Sequence, residues 1–156
     1  MPDTIAIAGG SGGLGAAICR YLGSQGFHLI VGYNSRKSAA DAVIKDIESA
    51  GGSAVSSAVD LCDPQQVARF LQLGQAEGNR LIGVVNATGP AIPLRPLSDI
   101  SSDTFSAIMR TDVEGAFNLL TQAGKLFATA GGGIVVQLLT TAVLRTLEND
   151  AMSGIP

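Results

Sequence analysis

The chain of 156 residues has the length of one domain, and no stretch has the composition of a linker between two domains. Its composition, 46% hydrophobic and 15% charged residues, is typical of a globular chain and excludes an intrinsically disordered one. The net charge of −3 gives no electrostatic basis for binding nucleic acid or an anionic membrane. An anionic ligand would therefore have to be held by local geometry.

The N-terminus and the cysteines indicate the cellular compartment of the protein. Residues 1–4 lack the basic stretch and long apolar run of a secretory signal, and no apolar run approaches the roughly 20 residues of a membrane span. Cys19 and Cys62 are too few to predict a disulfide framework or a metal site. We therefore expect a cytoplasmic protein without a bound metal.

Short apolar runs alternate with amphipathic stretches, which is the pattern of βαβ units around a parallel sheet. Strands are predicted at residues 4–8, 27–33, 54–59, 81–86 and 134–139. Helices are predicted at about 14–24, 38–50, 64–75 and 102–130. This order predicts an α/β fold of the doubly wound Rossmann type, with a parallel sheet in the order 3-2-1-4-5 and helices on both faces.

Further signals concern the helices themselves. Leu14 is expected on the buried stripe of the first helix. Asp63 and Pro64 predict an N-cap followed by proline at the first helical position. Ser102 or Asp103 is expected to cap the longest helix. The predicted apolar stripe of that helix consists of Phe105, Ile108, Met109, Asp112, Ala116, Leu119 and Leu120.

A glycine-rich turn follows the first predicted strand. Gly9, Gly13 and Gly15 have the spacing Gly-x-x-x-Gly-x-Gly between a strand and a helix. Glycine lets backbone N–H groups approach a pyrophosphate, whose charge then lies at a helix N-terminus. A turn without a ligand is the alternative, but its place between strand and helix favours a dinucleotide site. The residues predicted to bind phosphates are Gly9, Ser11, Gly12, Gly13, Leu14 and Gly15.

This turn resembles the Thr-Gly-x-x-x-Gly-x-Gly motif of the short-chain dehydrogenase/reductase family, with Ala8 in place of the threonine. The resemblance covers nearly the whole chain, and residues 31–35 are most similar to the 3-oxoacyl-carrier-protein reductase branch. Further matches lie at residues 60–61, 86–89, 112–117 and 133–141. The resemblance implies that Asp60 contacts adenine and that residues 86–89 support both sheet and cofactor. The cofactor contacts implied in these segments are Asp60, Leu61, Asn86, Ala87 and Gly89.

The end of the second predicted strand bears on the choice of cofactor. An acid there would bind the ribose hydroxyls of NAD and repel a 2′-phosphate. This chain has Tyr33 instead, followed by Asn34, Ser35, Arg36 and Lys37. Two cations and two hydrogen-bond donors suit a phosphate, which arginine binds bidentately. We therefore expect NADP(H) rather than NAD(H), bound by residues 33–36, with a solvated turn as the alternative.

The resemblance also implies a reaction, in which a hydride passes between nicotinamide and a carbonyl or alcohol. In the family, a Tyr-x-x-x-Lys pair moves the proton and a serine polarises the carbonyl oxygen. Thr140, or Thr141 in another register, lies where that serine is expected, with an ordinary strand-end threonine as the alternative. Asp112 replaces the asparagine of the family's proton relay, with a satisfied buried acid as the alternative. Since it lies in an apolar stripe, Asp112 must be hydrogen-bonded, protonated or beside a polar cavity.

The tyrosine–lysine pair itself is missing. Tyr33 and Lys37 fit the spacing but lie on the adenosine side, whereas the resemblance places the pair about a dozen residues after the serine. Tyr21 and Tyr33 are the only tyrosines, so the chain as given cannot perform the family's reaction. We therefore expect an incomplete copy of a longer domain, cut after the fifth strand, with residues 134–136 as an exposed apolar edge.

The sequence thus predicts that the parent protein, to which residues 1–156 contribute one incomplete domain, is an NADP(H)-dependent oxidoreductase that reduces a carbonyl or oxidises an alcohol. A nucleotide-binding or scaffold protein without turnover is the alternative, favoured by the changes at Thr140 and Asp112. A methyltransferase with the same type of sheet would make the matches at Asn86 and Asp112 coincidences. The resemblance further implies a small-molecule substrate and a homo-oligomer, either a dimer or a tetramer.

Overall fold

The computed structural model describes residues 3–89, 91–145 and 147–156, apart from the side chain of Glu77. Its strands are β1 (Asp3–Ala8), β2 (His28–Tyr33), β3 (Ser53–Ala58), β4 (Arg80–Asn86) and β5 (Ile134–Gln137). Its helices are α1 (Gly13–Ser24), α2 (Lys37–Ser49), α3 (Pro64–Leu73), α4 (Ser102–Met109), α5 (Gly115–Ala130) and α6 (Ala151–Gly154). A π-helical segment, Arg110–Glu114, joins α4 to α5. Short 3-10 turns occur at Ala76–Gly78, Leu97–Asp99 and Thr141–Val143.

The five strands form one parallel sheet in the order β3-β2-β1-β4-β5, which confirms the predicted fold class and strand order. All strands run in the same direction, so their carboxyl ends lie at one edge of the sheet. At that edge Ala8 pairs with Asn86, and Asn86 pairs with Gln137. Ligands of open α/β sheets bind at this edge.

Helices pack on both faces of the sheet, as predicted. Side chains alternate along β1, so Ile5 and Ile7 lie in the cluster with α1 and α2, whereas Ala6 and Ala8 lie in the cluster with α3 and α5. Phe70 on α3 is among the largest fully buried side chains of the second cluster. The two clusters together hold the sheet between two helical layers.

The buried face of α1 differs from the predicted one. Leu14 is 71% exposed, so its expected place on a buried stripe is wrong. The face turned to the core consists of Gly15, Ala16, Cys19 and Gly23. These small residues bring the helix close to its neighbours, and a Cβ at Gly23 would lie 2.8 Å from Cγ2 of Ile47 on α2. The apolar side chain of Leu14 therefore faces away from the core at the first turn of the helix.

Capping residues start α3 and α4. Asp63 caps α3 as predicted, with its side chain accepting hydrogen bonds from two backbone N–H groups ahead of it, and Pro64 is the first helical residue. For α4 the predicted cap is wrong by one residue. Ser101 is the N-cap, since its hydroxyl oxygen accepts the N–H of Thr104 at 3.1 Å. Ser102 and Asp103 are the first two helical residues.

The single long helix predicted over residues 102–130 contains the π-helical segment between two α-helices. A π turn holds one more residue than an α turn, so it shifts the phase of the buried face. Ile108 before the segment and Leu119 after it are both buried, whereas Phe105 is 40% exposed. The predicted apolar stripe is wrong at Phe105, which lies on α4 ahead of the π-helical segment and is exposed.

The two edges of the sheet differ in character. β3, at one edge, contains three serines, whereas β5, at the other, exposes Ile134, Val135 and Val136, as the predicted apolar edge requires. β5 ends at Gln137, two residues earlier than predicted. Beyond it the chain forms the turn Thr141–Val143 and the four-residue helix α6, whose Met152 is buried.

Packing of α5 on the sheet can be tested with two neighbouring residues. Leu119 is fully buried and Phe117 is 64% exposed, although both lie on α5. We expect Leu119→Ala to lower the free energy of unfolding by about 2–5 kcal/mol, since it removes core contacts and leaves a cavity. Phe117→Ala serves as the control and should change it by less than about 1 kcal/mol. Urea denaturation measures both, and equal losses would contradict the assignment of the buried face.

Candidate functional site

The turn between β1 and α1 is held together by backbone contacts. The N–H of Gly12 donates to the carbonyl of Gly9 at 2.9 Å, which closes the turn. Gly9 has a φ of +77°, and a Cβ there would lie 2.7 Å from the carbonyl oxygen of Ala87 after β4. A Cβ at Gly15 would collide with the Gly9 carbonyl. Packing therefore requires glycine at positions 9 and 15.

Gly13 differs from these two glycines, because a Cβ there would meet no atom within 4 Å. It begins α1, and the preceding N-cap, Gly12, has no side chain to satisfy the first N–H groups. In the described part of the chain, no hydrogen bond involves the N–H groups of Gly13, Leu14 or Gly15. These donors and the positive end of the helix dipole form a site for an anion. Ser11 lies half-buried in the same turn.

The segment after β2 brings a cation to this turn. Nη2 of Arg36 lies 3.6 Å from the position of a Cβ on Gly12, and among the described residues Arg36 forms no ion pair. Lys37 is already paired, since its Nζ lies 2.6 Å from Oδ2 of Asp41, and the hydrogen bond with that carboxylate raises the pKa of the lysine. Of the two predicted cations, Arg36 is thus the one directed at the turn. Asn34 and Ser35 beside it are exposed, and Tyr33 is half-buried.

The turn after β3 contains Asp60 and Leu61. Oδ1 of Asp60 accepts the N–H of Cys62 at 2.9 Å, and the N–H of Asp60 donates to Oε1 of Gln66 at 3.0 Å. The side chain of Leu61 is buried in the core cluster with α3 and α5. Any ligand contact of Leu61 would therefore come from its backbone. Asp60 has a second carboxylate oxygen, Oδ2, that could contact a ligand.

Asn86 links β4 to β5 at the carboxyl edge of the sheet. Its Nδ2 donates to Oε1 of Gln137 at 2.9 Å, and its Oδ1 accepts the hydroxyl of Thr88 at 2.7 Å. The side chain of Asn86 is 2% exposed, so both of its polar atoms are satisfied internally. Ala87 is tied to β1 by its N–H, which donates to the Ala8 carbonyl at 2.9 Å, while Gly89 is exposed.

Asp112 and Thr140 are the two residues predicted to take part in catalysis. Asp112 lies in the π-helical segment, half-buried, and burial raises the pKa of its carboxyl. Thr140 is exposed, and its hydroxyl oxygen accepts the N–H of Ala142 at 3.1 Å, which caps the turn that follows. Thr141 is also exposed. No hydrogen bond joins Asp112 to Thr140 in the residues that the structure describes.

Other kinds of site have little support in the described residues. They contain no group of three or more His, Cys, Asp or Glu side chains placed to hold a metal. Every helix in this part of the chain is too short or too polar to span a bilayer. A cavity of about 270 Å³ lies between the segment 91–101 and the first turn of α4, and one of about 340 Å³ lies between α3 and α5. Neither cavity is lined by the glycine turn.

The sequence profile of the short chain dehydrogenase family matches residues 3–151. The chain belongs to this family. It is 27% identical over 153 residues to a versicolorin reductase of Emericella nidulans, covering 97% of this chain and 57% of that protein. It is 30% identical over 139 residues to an oxidoreductase of Methylorubrum extorquens, covering 88% of this chain and 55% of that protein. The chain thus spans little more than half the length of these relatives.

Solved structures show the same fold. A short-chain dehydrogenase/reductase from Mycobacterium ulcerans superposes with a TM-score of 0.91 at 21% identity, covering 98% of this chain and 56% of that one. An NAD⁺-bound xylitol dehydrogenase superposes with a TM-score of 0.90 at 21% identity, covering 97% of this chain and 58% of that one. Membership of the dehydrogenase family leaves the methyltransferase hypothesis without support.

The family implies a nicotinamide dinucleotide cofactor, NAD(P)(H). The glycine turn fits this cofactor, because the space at Gly13 is open and the unpaired N–H groups at the start of α1 suit the negative charge of a pyrophosphate. The site also depends on two side chains that the sequence analysis missed. Gln137 holds Asn86 across the sheet, and Asn118 on α5 donates to the Leu61 carbonyl at 2.9 Å. The role of Gln137 can be inferred only once β5 is placed beside β4. Asn118 could have been found from the sequence, because it is a polar residue next to the apolar Leu119 on a predicted helix.

The two kinds of glycine in the turn predict opposite effects on stability. We expect Gly15→Ala to lower the free energy of unfolding by about 1–3 kcal/mol, since the new Cβ overpacks the turn. Gly13→Ala should leave the stability unchanged or raise it by up to about 1 kcal/mol, because alanine fits a helix and meets no neighbour. Chemical denaturation of both variants tests this difference, and an equally destabilised Gly13→Ala would show that Gly13 is packed.

Asp112 predicts a dependence of stability on pH. Burial raises the pKa of its carboxyl in the folded state, so ionised Asp112 destabilises the fold above that pKa and the cost disappears as the pH falls below it. Asp112→Asn should therefore be more stable than the wild type at pH 7, and the difference should shrink as the pH is lowered toward 4. Urea denaturation across this range measures the difference.

The exposed Asp103 in the first turn of α4 provides the control for Asp112. An acid there favours the helix N-terminus, so Asp103→Asn should give no gain in stability at pH 7. A loss of stability in Asp112→Asn at pH 7 would contradict the burial argument.

Proposed function

We propose that the protein is an NADP(H)-dependent oxidoreductase that reduces a carbonyl compound or oxidises an alcohol. The observation that carries this proposal is the position of Arg36, whose guanidinium reaches the open glycine turn at Gly12 and forms no ion pair among the described residues. Family membership supports the oxidoreductase chemistry, and several matched proteins are named as reductases. Because the chain spans little more than half of those relatives, the activity of the whole protein is part of the proposal.

In this proposal the pyrophosphate of the cofactor lies at the N-terminus of α1. The N–H groups of Gly13, Leu14 and Gly15 donate to it, and the helix dipole favours its charge. Asp60 and Leu61 would hold the adenine, and Ala87 and Gly89 would contact the cofactor beside the glycine turn. Asn86 acts by holding β4 and β5 in place, since its own polar atoms are satisfied within the protein.

The proposed preference for NADP(H) depends on the segment that follows β2. The guanidinium of Arg36 binds the 2′-phosphate, assisted by the exposed side chains of Asn34 and Ser35. The end of β2 carries Tyr33 rather than an acid that would repel this phosphate. The nearest acid in the following helix, Asp41, is bonded to Lys37 and to the hydroxyl of Ser56. The xylitol dehydrogenase of similar fold is described as NAD⁺-bound, so the preference needs its own test.

At the reacting end, the bound cofactor would supply or accept a hydride. We propose that the hydroxyl of Thr140 or Thr141 donates a hydrogen bond to the substrate oxygen. Asp112, whose pKa is raised by burial, would hold or release a proton on the neighbouring helix. Tyr33 cannot serve this site, because β1 and β4 lie between β2 and β5, a separation of roughly 14 Å at normal strand spacing.

A nucleotide-binding or scaffold protein without turnover is the second candidate function. It is favoured by Asp112 and Thr140, which replace the asparagine and serine of the family pattern. Both candidates bind the cofactor, so binding alone does not separate them. Oxidation of NADPH by the whole protein in the presence of simple aldehydes and ketones would support the enzyme, and cofactor binding by the whole protein without any oxidation would support the second candidate.

Further parts of the proposal concern partners and location. We propose a small-molecule substrate and a homo-oligomer, with no role in binding nucleic acid or membranes, in keeping with the net charge of −3. The similarity to the 3-oxoacyl-carrier-protein reductase branch and a cytoplasmic location stay predictions.

Removing the guanidinium tests the cofactor preference. We expect Arg36→Ala to weaken NADPH binding by about ten- to a hundredfold, the effect of a lost charge-assisted hydrogen bond of about 1.5–3 kcal/mol, and to leave NADH binding nearly unchanged. Lys37→Ala is the matched control, since Lys37 is paired with Asp41 and should contribute little to binding. Isothermal titration calorimetry with both cofactors measures these affinities. Equal affinity of the wild type for NADPH and NADH would overturn the preference, and no binding of either at millimolar concentration would overturn the proposed function.

A further inference from the structure

Side-chain hydrogen bonds join the middle of the long helical region, residues 110–122, to the turn after β3 and the start of α3. The thiol of Cys62 donates to the carbonyl of Arg110 in the π-helical segment at 3.4 Å. Asn118 on α5 donates through Nδ2 to the Leu61 carbonyl at 2.9 Å. Gln122, one turn further along α5, donates to the Pro64 carbonyl at 2.8 Å. The turn is thus bonded at two points, and the start of α3 at a third, to a helical region that also carries Asp112.

The bond from Asn118 has a particular geometry. Its acceptor, the Leu61 carbonyl, and the N–H of Cys62 belong to the same peptide unit, which is planar. That N–H donates to Oδ1 of Asp60 at 2.9 Å. Asn118 therefore holds one end of a rigid plane, and the carboxylate of Asp60 is bonded to the other end. Rotation of this plane would break both hydrogen bonds.

We propose that Asn118 is a positioning residue for the adenine end of the nucleotide site. By fixing the peptide between Leu61 and Cys62, it orients the carboxylate of Asp60, which can accept a hydrogen bond from the adenine amino group. This inference rests on the proposed function, in which Asp60 contacts adenine.

Packing holds the position of the turn independently of this bond. Leu61 is buried in the core cluster, and a Cβ at Gly115 on α5 would lie only 3.1 Å from Cβ of Leu61. The close contact at Gly115 keeps α5 beside the turn even when the amide of Asn118 is changed. Asn118 therefore sets the orientation of one peptide, while apolar packing keeps the chain folded.

The test replaces the amide by a group of the same size that cannot donate. Asn118→Asp places an acceptor against the Leu61 carbonyl, and we expect it to weaken binding of 2′,5′-ADP about tenfold in isothermal titration calorimetry. Gln122→Glu is the matched control, since it removes the neighbouring hydrogen bond to the Pro64 carbonyl and leaves the peptide between Leu61 and Cys62 unchanged. Its affinity for 2′,5′-ADP should equal that of the wild type. Asn118→Ala is the second variant if Asn118→Asp does not fold, with the same expected loss.

A double-mutant cycle separates positioning from a general effect on the fold. In an Asp60→Asn background, Asn118→Asp should cause little further loss of affinity, because Asn118 acts through the Asp60 carboxylate. Independent, additive losses would overturn the inference, as would unchanged binding in Asn118→Asp. A wild-type chain that binds no 2′,5′-ADP would instead overturn the proposed function, and this outcome is visible before any variant is made.

Discussion

Backbone packs directly against backbone where β1 meets α1, and the remaining features of the site depend on this contact. Gly9 lies against the Ala87 peptide of β4, and Gly15 of α1 lies against the Gly9 carbonyl. Any larger residue at these positions would push α1 away from the sheet edge. With the helix held so close, its N-terminus lies at the turn that follows β1, and the segment after β2 brings Arg36 to the same turn.

Two groups of residues form the candidate site, and both lie at the carboxyl ends of the strands. One group contains the glycine turn, Arg36 and the Asn86 link between β4 and β5. The other contains the Asp60 turn, which is bonded to α5 and to the π-helical segment. A dinucleotide that touches both groups would contact the turns after β1, β2 and β3 together.

Local patterns in the sequence were sufficient for the fold class and strand order, because glycine turns, the Asp63–Pro64 cap and the apolar runs each specify local structure. The same patterns located the glycine turn and the polar segment after β2. They were insufficient where long-range packing decides. Leu14 looks like a core residue but is exposed, since small residues are needed on the face of α1 that meets the sheet. The pairing of Asn86 with Gln137 spans 51 positions and required the strand order first.

The π-helical segment changes the rotation of α5 about the helix axis relative to α4. One extra residue turns everything after it by roughly 100° relative to an unbroken α-helix. In an unbroken α-helix Ile108 and Leu119 would lie on one stripe, whereas the π-helical segment turns them apart. Leu119 belongs to the core cluster with α3 and α5, and Ile108 is buried outside both core clusters. Deleting one residue between positions 110 and 114 would remove the extra residue of the π turn and leave Ile108 and Leu119 on the faces that they already occupy. The irregular backbone lets one continuous helical region bury apolar side chains on two different faces.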